Sequence, residues 1–328
     1  MKYSDTIYGN FEIVEPVIID LLETETMRRL KYVYSSGITG FVGLRKSSNR
    51  FEHSVGVMYL VKKYGGNLEE KIAALLHDVS HTAFSHVIDY VFNDHVQQEY
   101  HERKKEYFFE KTSLPEILQN YHLNWRDIID EERYTLLEQP SPALCADRLD
   151  YFFRDSFGLG ILNLTDIQVI LDHLVTYEDR IVVNDKEVAI FISKKFIEVD
   201  DACWSNLQEV GLYELTAQAI QVAISTGKIS EEDFWGTDDS LWMNLQAIDN
   251  NESLKDISKH THFIFDHENP TFRVCTKIRT IDPDILFHGK LKKLSEIDCD
   301  YDSYRKQYIK RKEGLWPIRI VSKLNHNC

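Results

Sequence analysis

No C-x-x-C pair occurs in the chain; its five cysteines, Cys145, Cys203, Cys275, Cys299 and Cys328, stand singly and far apart. This spacing excludes a zinc knuckle and a disulfide framework, and predicts reduced, mostly buried thiols. Repeats, low-complexity tracts and Gly/Ser linkers are lacking too, so the composition marks no flexible hinge. No run is both long and uncharged enough to cross a bilayer, and the N-terminal MKYSDTIYGNFEIVEP has no apolar export core. A cytoplasmic protein without a membrane partner is the expectation. Positive charge is scarce: Lys+Arg number 38 against 53 Asp+Glu, a net charge of -15. That balance argues against nucleic acid as a partner. An anionic substrate then needs a local cluster of positive charge or a bound cation.

What is present is ample apolar material, 43% of 328 residues, enough for a sizeable core in one large domain with an appendage or in two domains. Apolar residues recur at helical spacing over Ile18–Ser35, Phe51–Tyr64 and Leu68–Phe92, the last apolar around much of its circumference and so expected to be central. Further helical patterns cover Val96–Lys111, Pro115–Asn120, Trp125–Ile129 and Ser141–Phe157. The character changes near Tyr177, where RIVVNDKEVAIFI reads as a hairpin across an Asn-Asp turn. Long and short helical patterns follow at Phe196–Ser225 and Ser240–Ile248. HFIFDH and TFRVCTKIR then predict two strands around Asn269 and Pro270, and YRKQYIKRK and PIRIVSKL a charged helix and a last strand.

One constellation is hard to explain by packing. His77 and Asp78 are adjacent at the end of the apolar run Ile72–Leu76, and neighbours on a helix point about 100° apart, so both meet only at something lying against the helix, such as an ion. His81, His86 and Asp89 follow within a few turns, His101 lies in EYHERKKEYFF, and Asp147 in CADRLDYFFRD. Each imidazole or carboxylate buried without a partner costs free energy, whereas together they suit a first-row divalent metal. His53 by itself reads equally well as a core histidine, and His101 as part of a solvated helix face.

NRFEHSVGVMYL, HDVSHTAFSHVID and DRLDYFFRD, in that order, resemble the HD-domain metal-dependent phosphohydrolase superfamily, and within it the deoxynucleoside triphosphate triphosphohydrolase branch. DTIYGNFEI and LLETETMRRLKYV are similar to the segment that precedes the first metal histidine there, so the likeness spans about residues 4 to 160. The resemblance implies a mostly α fold, with an HD-domain helical catalytic core over 1–178 and a smaller mixed α+β region over 179–328. It implies that His53, His77, Asp78 and Asp147 hold a divalent transition metal, and it places His81, His86, Asp89 and His101 in the catalytic neighbourhood. Mixed His and carboxylate ligation accepts manganese, iron, zinc, nickel or cobalt, with magnesium a further candidate. Arg50 and Arg148 are implied phosphate contacts, and Tyr151 and Asp155 contacts to sugar or base. Tyr213 reads either as a pocket residue or as a core tyrosine.

The implied reaction is hydrolysis of a nucleotide, triphosphate or monophosphate, or of a related phosphate ester by a metal-activated water. Relatives of this kind often form homo-oligomers. The chain departs from the branch at Ser80, where glycine is usual, and at Ser35 and Ser36, where a Gln-Leu pair stands. It departs again in WSNLQEVGLYELTA, where Ser205, Glu209, Leu215 and Thr216 occupy positions that triphosphate hydrolases fill with Arg, His and Lys. That last difference leaves open a less charged substrate, such as a monophosphate, or a nucleotide seated differently. Two other readings stand beside the hydrolase: a di-iron oxygenase of the same fold, and a nucleotide sensor or scaffold with little turnover.

Overall fold

The computed structural model describes residues 1–248, 252–287 and 289–321. Cys328 and the end of the last predicted strand, beyond Val321, lie outside these. After an N-terminal hairpin, β1 (Lys2–Asp5) and β2 (Gly9–Glu12), the chain is helical as far as His173. Four helices position the site: α1 (Arg50–Lys63), α2 (Leu68–Leu76), α3 (Val87–Val91) and α4 (Ala146–Gly158). Asn49 and Glu52 cap α1 reciprocally, each side chain accepting the other's backbone N–H, which fixes the first turn carrying Arg50 and His53. Asn67 caps α2 at Glu70. The helices α1 and α4 approach closely at Gly56, where a Cβ would stand 2.0 Å from Asp150 Oδ1 and 2.3 Å from Arg154 Nη2.

Several predicted helices are interrupted. The pattern over Leu68–Phe92 is two helices, because Phe84 and Ser85 take left-handed φ values of 56° and 49° and the Phe84 N–H donates to Asp238 Oδ1. His77 and Asp78 therefore sit where α2 ends rather than mid-helix. Ile18–Ser35 is likewise divided, with Thr24 capping a new start at Met27 N–H. Val96–Lys111 forms two short helices, Tyr100–Arg103 and Lys105–Glu110, and the helix foreseen from Ser141 begins at Ala146.

The hairpin is real but displaced. It pairs β3 (Leu174–Tyr177) with β4 (Arg180–Val183) around Glu178 and Asp179, both left-handed as a tight hairpin turn requires. Asp185 instead caps the helix α5 (Lys186–Val199) at Val188 N–H, and VAIFI lies in that helix. Phe196–Ser225 is broken by a π turn at Asp200–Trp204 before α6 (Leu207–Ser225). β5 (His262–Phe265) and β6 (Phe272–Val274) do not pair with each other; both flank β9 (Trp316–Val321), while β7 (Asp284–Phe287) and β8 (Lys290–Lys293) extend the β3–β4 sheet. The charged helix is α7 (Cys299–Lys312).

Two apolar cores hold this together. The larger joins α1, α2 and α4 to α5 and α7; the smaller joins α3 to α6 and the β5–β9–β6 sheet. Both draw residues from before and after the composition shift near Tyr177. Of the described cysteines, Cys145 and Cys203 are buried, Cys275 is half-buried and Cys299 is exposed; all are free. The exposure of Cys299 runs against the expectation of burial and follows from its place at the start of α7. No helix among the described residues is long and apolar enough to cross a membrane.

Candidate metal centre and adjoining cleft

The first turn of α1, the end of α2 and the first turn of α4 meet at one point. His53 Nε2 lies 3.3 Å from His77 Nε2, 3.0 Å from Asp147 Oδ1 and 3.5 Å from Asp78 Oδ2. His77 Nε2 is 3.4 Å from Asp147 Oδ1 and 3.6 Å from Asp78 Oδ1. The outward nitrogens are committed: His53 Nδ1 donates to Asp150 Oδ2 at 2.7 Å, and His77 Nδ1 to the Ala74 carbonyl at 2.8 Å. Both Nε2 atoms are thereby left facing two carboxylates, the tautomer that metal ligation needs.

The charge balance of the cluster points the same way. Burial works against charge on Asp78, but Arg50, His77 and His53 hold its carboxyl well below the usual range. Burial likewise opposes a charged His77, yet Asp78 and Asp147 bring it up to about 10. Two imidazoles that attract positive charge and two carboxylates that keep their negative charge suit a divalent cation. Two nitrogen and two oxygen donors fit a first-row ion. The four side chains predicted as ligands are thus brought together by three elements.

Around them is a buried charge network. Asp150, fully buried, also accepts from Arg154 Nε at 2.7 Å and from the Tyr8 hydroxyl at 2.7 Å, and Arg154 Nη2 donates to Asp5 Oδ2 at 2.8 Å. The N-terminal hairpin is in this way tied to the orienting partner of His53. Replacing Arg154 by methionine leaves Asp5 and Asp150 buried without their cation and is expected to cost about 3–5 kcal/mol of stability. Equilibrium unfolding in urea measures it, and a loss below about 1 kcal/mol would show that the network is not held by its charge.

A second imidazole group adjoins the first. His81 stacks on His101 with ring centroids 3.8 Å apart, and His86 approaches both edge-on at 5.0 and 5.7 Å. Asp78 lies between the two groups, its Oδ1 3.5 Å from His81 Nε2. His81 Nδ1 is buried without a hydrogen bond. His86 Nδ1 donates to Asp89 Oδ2 at 3.0 Å, and the other Asp89 oxygen accepts the Tyr100 N–H at 2.8 Å. Ser80, where glycine is usual, donates through its hydroxyl to the His101 carbonyl at 3.1 Å.

A cleft of about 740 Å³, counted to its open mouth, adjoins both groups. Arg50, His53, His86, Tyr151, Asp155 and Tyr213 line it, together with Ser35 and Ser36. Arg50 is spread between Asp78 Oδ2 at 2.6 Å, Ser85 Oγ at 3.1 Å and the Ser35 carbonyl at 3.4 Å. Tyr213 donates to the Ser36 carbonyl at 3.0 Å. Arg148 is placed differently: its guanidinium binds Glu138 and the carbonyls of Gln139 and Ala143, and it does not line the cleft. Its helix position one residue after Asp147 turns it to the side of the ligand, as the 100° helical step dictates.

Several cleft residues escape sequence reasoning. Arg45 is ion-paired with Asp155 at 3.1 Å and Glu209 at 2.6 Å, Trp204 Nε1 donates to Asp155 Oδ2 at 2.6 Å, and Tyr90, Gln98 and Arg279 complete the wall. Glu209 stood in a segment compared with the branch and Tyr90 lies one turn after His86. Arg279 follows β6 in an irregular stretch with no local pattern.

The chain resembles a family model and several known proteins. Residues 50–155 match the HD domain family model. The metal-dependent phosphohydrolase cns2 of Cordyceps militaris is 35% identical over 315 residues, 93% of this chain and 91% of that protein. The deoxynucleoside triphosphate triphosphohydrolase SAMHD1 of Gallus gallus is 28% identical over 240 residues, covering 57% of this chain and 39% of its own length. A hypothetical protein from Aquifex aeolicus has the same fold, with a TM-score of 0.72 over 98% of this chain and 95% of the other at 20% identity. The chain therefore belongs to the HD-domain metal-dependent phosphohydrolases, enzymes that hydrolyse phosphoric ester or anhydride bonds with a divalent metal.

Proposed function

We propose that the substrate is a nucleotide, hydrolysed at a phosphoryl group seated between the metal cluster and the second histidine group. The observation that carries this reading is the continuity of the cleft. His53 and His86 open into the same space as Tyr90, Tyr151, Trp204 and Tyr213, aromatic walls suited to a sugar and base. The name of the SAMHD1 relative supports a nucleotide in the same sense.

His53, His77, Asp78 and Asp147 would hold a divalent cation, which when bound would supply charge neutralisation for the phosphate and acidify water for attack. The chain's own groups supply the remainder. Arg50, held in place by Asp78 and Ser85, presents a guanidinium to phosphate oxygens at the cleft wall. His86, its Nδ1–H held by Asp89, can take up a second proton on Nε2 beside a bound phosphate and, in that imidazolium form, pass it to the leaving oxygen. His81 and His101 brace it from behind.

The test is a product screen of the purified enzyme with manganese, iron, zinc, nickel, cobalt and magnesium in turn, over nucleoside mono-, di- and triphosphates and p-nitrophenyl phosphate. Turnover of a nucleotide series is expected, with inorganic triphosphate or orthophosphate as product identifying which bond is cut. Turnover of p-nitrophenyl phosphate with no nucleotide of any length accepted would refute the nucleotide reading.

A further inference from the structure

The cations that line the cleft are not equivalent. Arg45 is neutralised twice over, by Asp155 and Glu209, and Arg50 is paired with Asp78. Arg279 forms no ion pair among the described residues. Its side chain donates to neutral acceptors, Gln98 Oε1 at 2.5 Å and the Lys277 carbonyl at 3.4 Å, while its backbone N–H donates to the buried Asp200 carboxylate. Half-buried at the cleft wall, its guanidinium has no described carboxylate at ion-pair distance, although the buried Asp200 feels its charge.

Its surroundings keep it there. The irregular segment from Cys275 to Pro283 is pinned along its length. Tyr90 donates to Thr276 Oγ1 at 3.3 Å, Lys277 Nζ to the Gln97 carbonyl at 2.8 Å, Arg305 Nε to Thr280 Oγ1 at 3.0 Å, and Asp282 N–H to the Pro142 carbonyl at 2.8 Å. Gln98, the acceptor for Arg279, is itself buried and held at a left-handed φ of 59°, a conformation that costs free energy in a residue with a side chain. Burial, with the nearby charges of Arg279 and Arg148, brings the Lys277 ammonium down to about 8.

We propose that Arg279, delivered by the C-terminal region, binds the substrate's phosphate, and that the cleft takes substrates carrying a single phosphoryl group. With the charge of Arg50 offset by Asp78 even where its guanidinium touches phosphate, one unpaired guanidinium and a bound divalent cation match a phosphomonoester dianion. A triphosphate tail needs further cations, and Arg45 has none of its charge to spare. The inference rests on the phosphohydrolase reaction and, for the body of the substrate, on the nucleotide reading above.

Arg279→Met is expected to raise KM for nucleoside monophosphates and for p-nitrophenyl phosphate by about 10- to 100-fold, the worth of a charge-assisted hydrogen bond, with Arg279→Lys recovering part of it. Metal content and thermal unfolding are measured alongside. Gln98→Glu serves as the second variant: it keeps the contact to Arg279 but gives it a carboxylate, and is expected to raise KM comparably in a folded enzyme. An unchanged KM in Arg279→Met, or in a folded Gln98→Glu, overturns the phosphate role. A higher kcat/KM of the wild type for nucleoside triphosphates than for monophosphates overturns the single-phosphoryl assignment. Should p-nitrophenyl phosphate alone be hydrolysed, the nucleotide reading falls and the role of Arg279 is still decided on that ester.

Discussion

Asp147→Asn is expected to bind no stoichiometric metal and to lose activity by more than the about 10- to 100-fold typical when a partner of a metal ligand is removed. The reason lies in how much converges on one carboxylate. Its Oδ1 is 3.0 Å from His53 Nε2 and 3.4 Å from His77 Nε2, and those imidazoles hold its pKa far below the usual range although burial acts the other way. An amide keeps the shape and removes the negative charge that the cation needs. The readouts are metal content by atomic spectrometry and the rise of Tm on adding manganese, which the wild type shows by mass action and the variant does not. A variant that retained both metal and phosphate release would remove Asp147 from the ligand set.

His86→Gln is expected to keep the metal and lose kcat by about 10²- to 10⁴-fold, the usual contribution of a positioned proton-transfer group. The residue lies on the cleft wall, is oriented by Asp89 and belongs to the second imidazole group with His81 and His101, not to the His53, His77 and Asp147 cluster. Burial lowers its pKa to about 4; Asp89 acts in the opposite direction, and Arg50 and His101 add to the lowering. The free enzyme therefore carries it neutral at pH 7, and a phosphate dianion set against it favours the protonated donor form. Retention of kcat to within about tenfold would assign proton transfer elsewhere.

The same shift has a stability consequence. A histidine with a folded pKa below its unfolded value of about 6.5 favours the native state above pH 6.5. That contribution is lost as pH falls toward 4, on the order of 2 kcal/mol by pH 5. The glutamine variant should lose less stability than the wild type between pH 7 and pH 5. Equal losses in the two proteins would mean that His86 is not the acid-sensitive group.

How much of this was legible in the sequence depends on distance along the chain. His53, His77, Asp78 and Asp147 stand in short local motifs at the start or end of one helix each, so the resemblance to the HD-domain pattern could point to them. The break between α2 and α3 is not visible locally, because the apolar run continues through it. It is made by left-handed Phe84 and Ser85 and by Asp238, a hydrogen-bond partner 154 residues away. The Asn-Asp dipeptide misleads for a related reason: Asp185 caps a helix whose apolar run is buried against α4, which a pairwise turn signal does not register. Arg148 sits beside a ligand in sequence and away from the cleft in space, and Arg279 does the opposite. Only the tertiary arrangement distinguishes those two.

The central claim is that one divalent cation is held by four side chains from α1, the end of α2 and α4. Anomalous diffraction from crystals grown with manganese tests it most directly. The structure predicts a single strong peak bonded at about 2.0–2.2 Å to His53 Nε2, His77 Nε2, Asp78 and Asp147. A manganese peak bound elsewhere, with these four side chains left unligated, would contradict it.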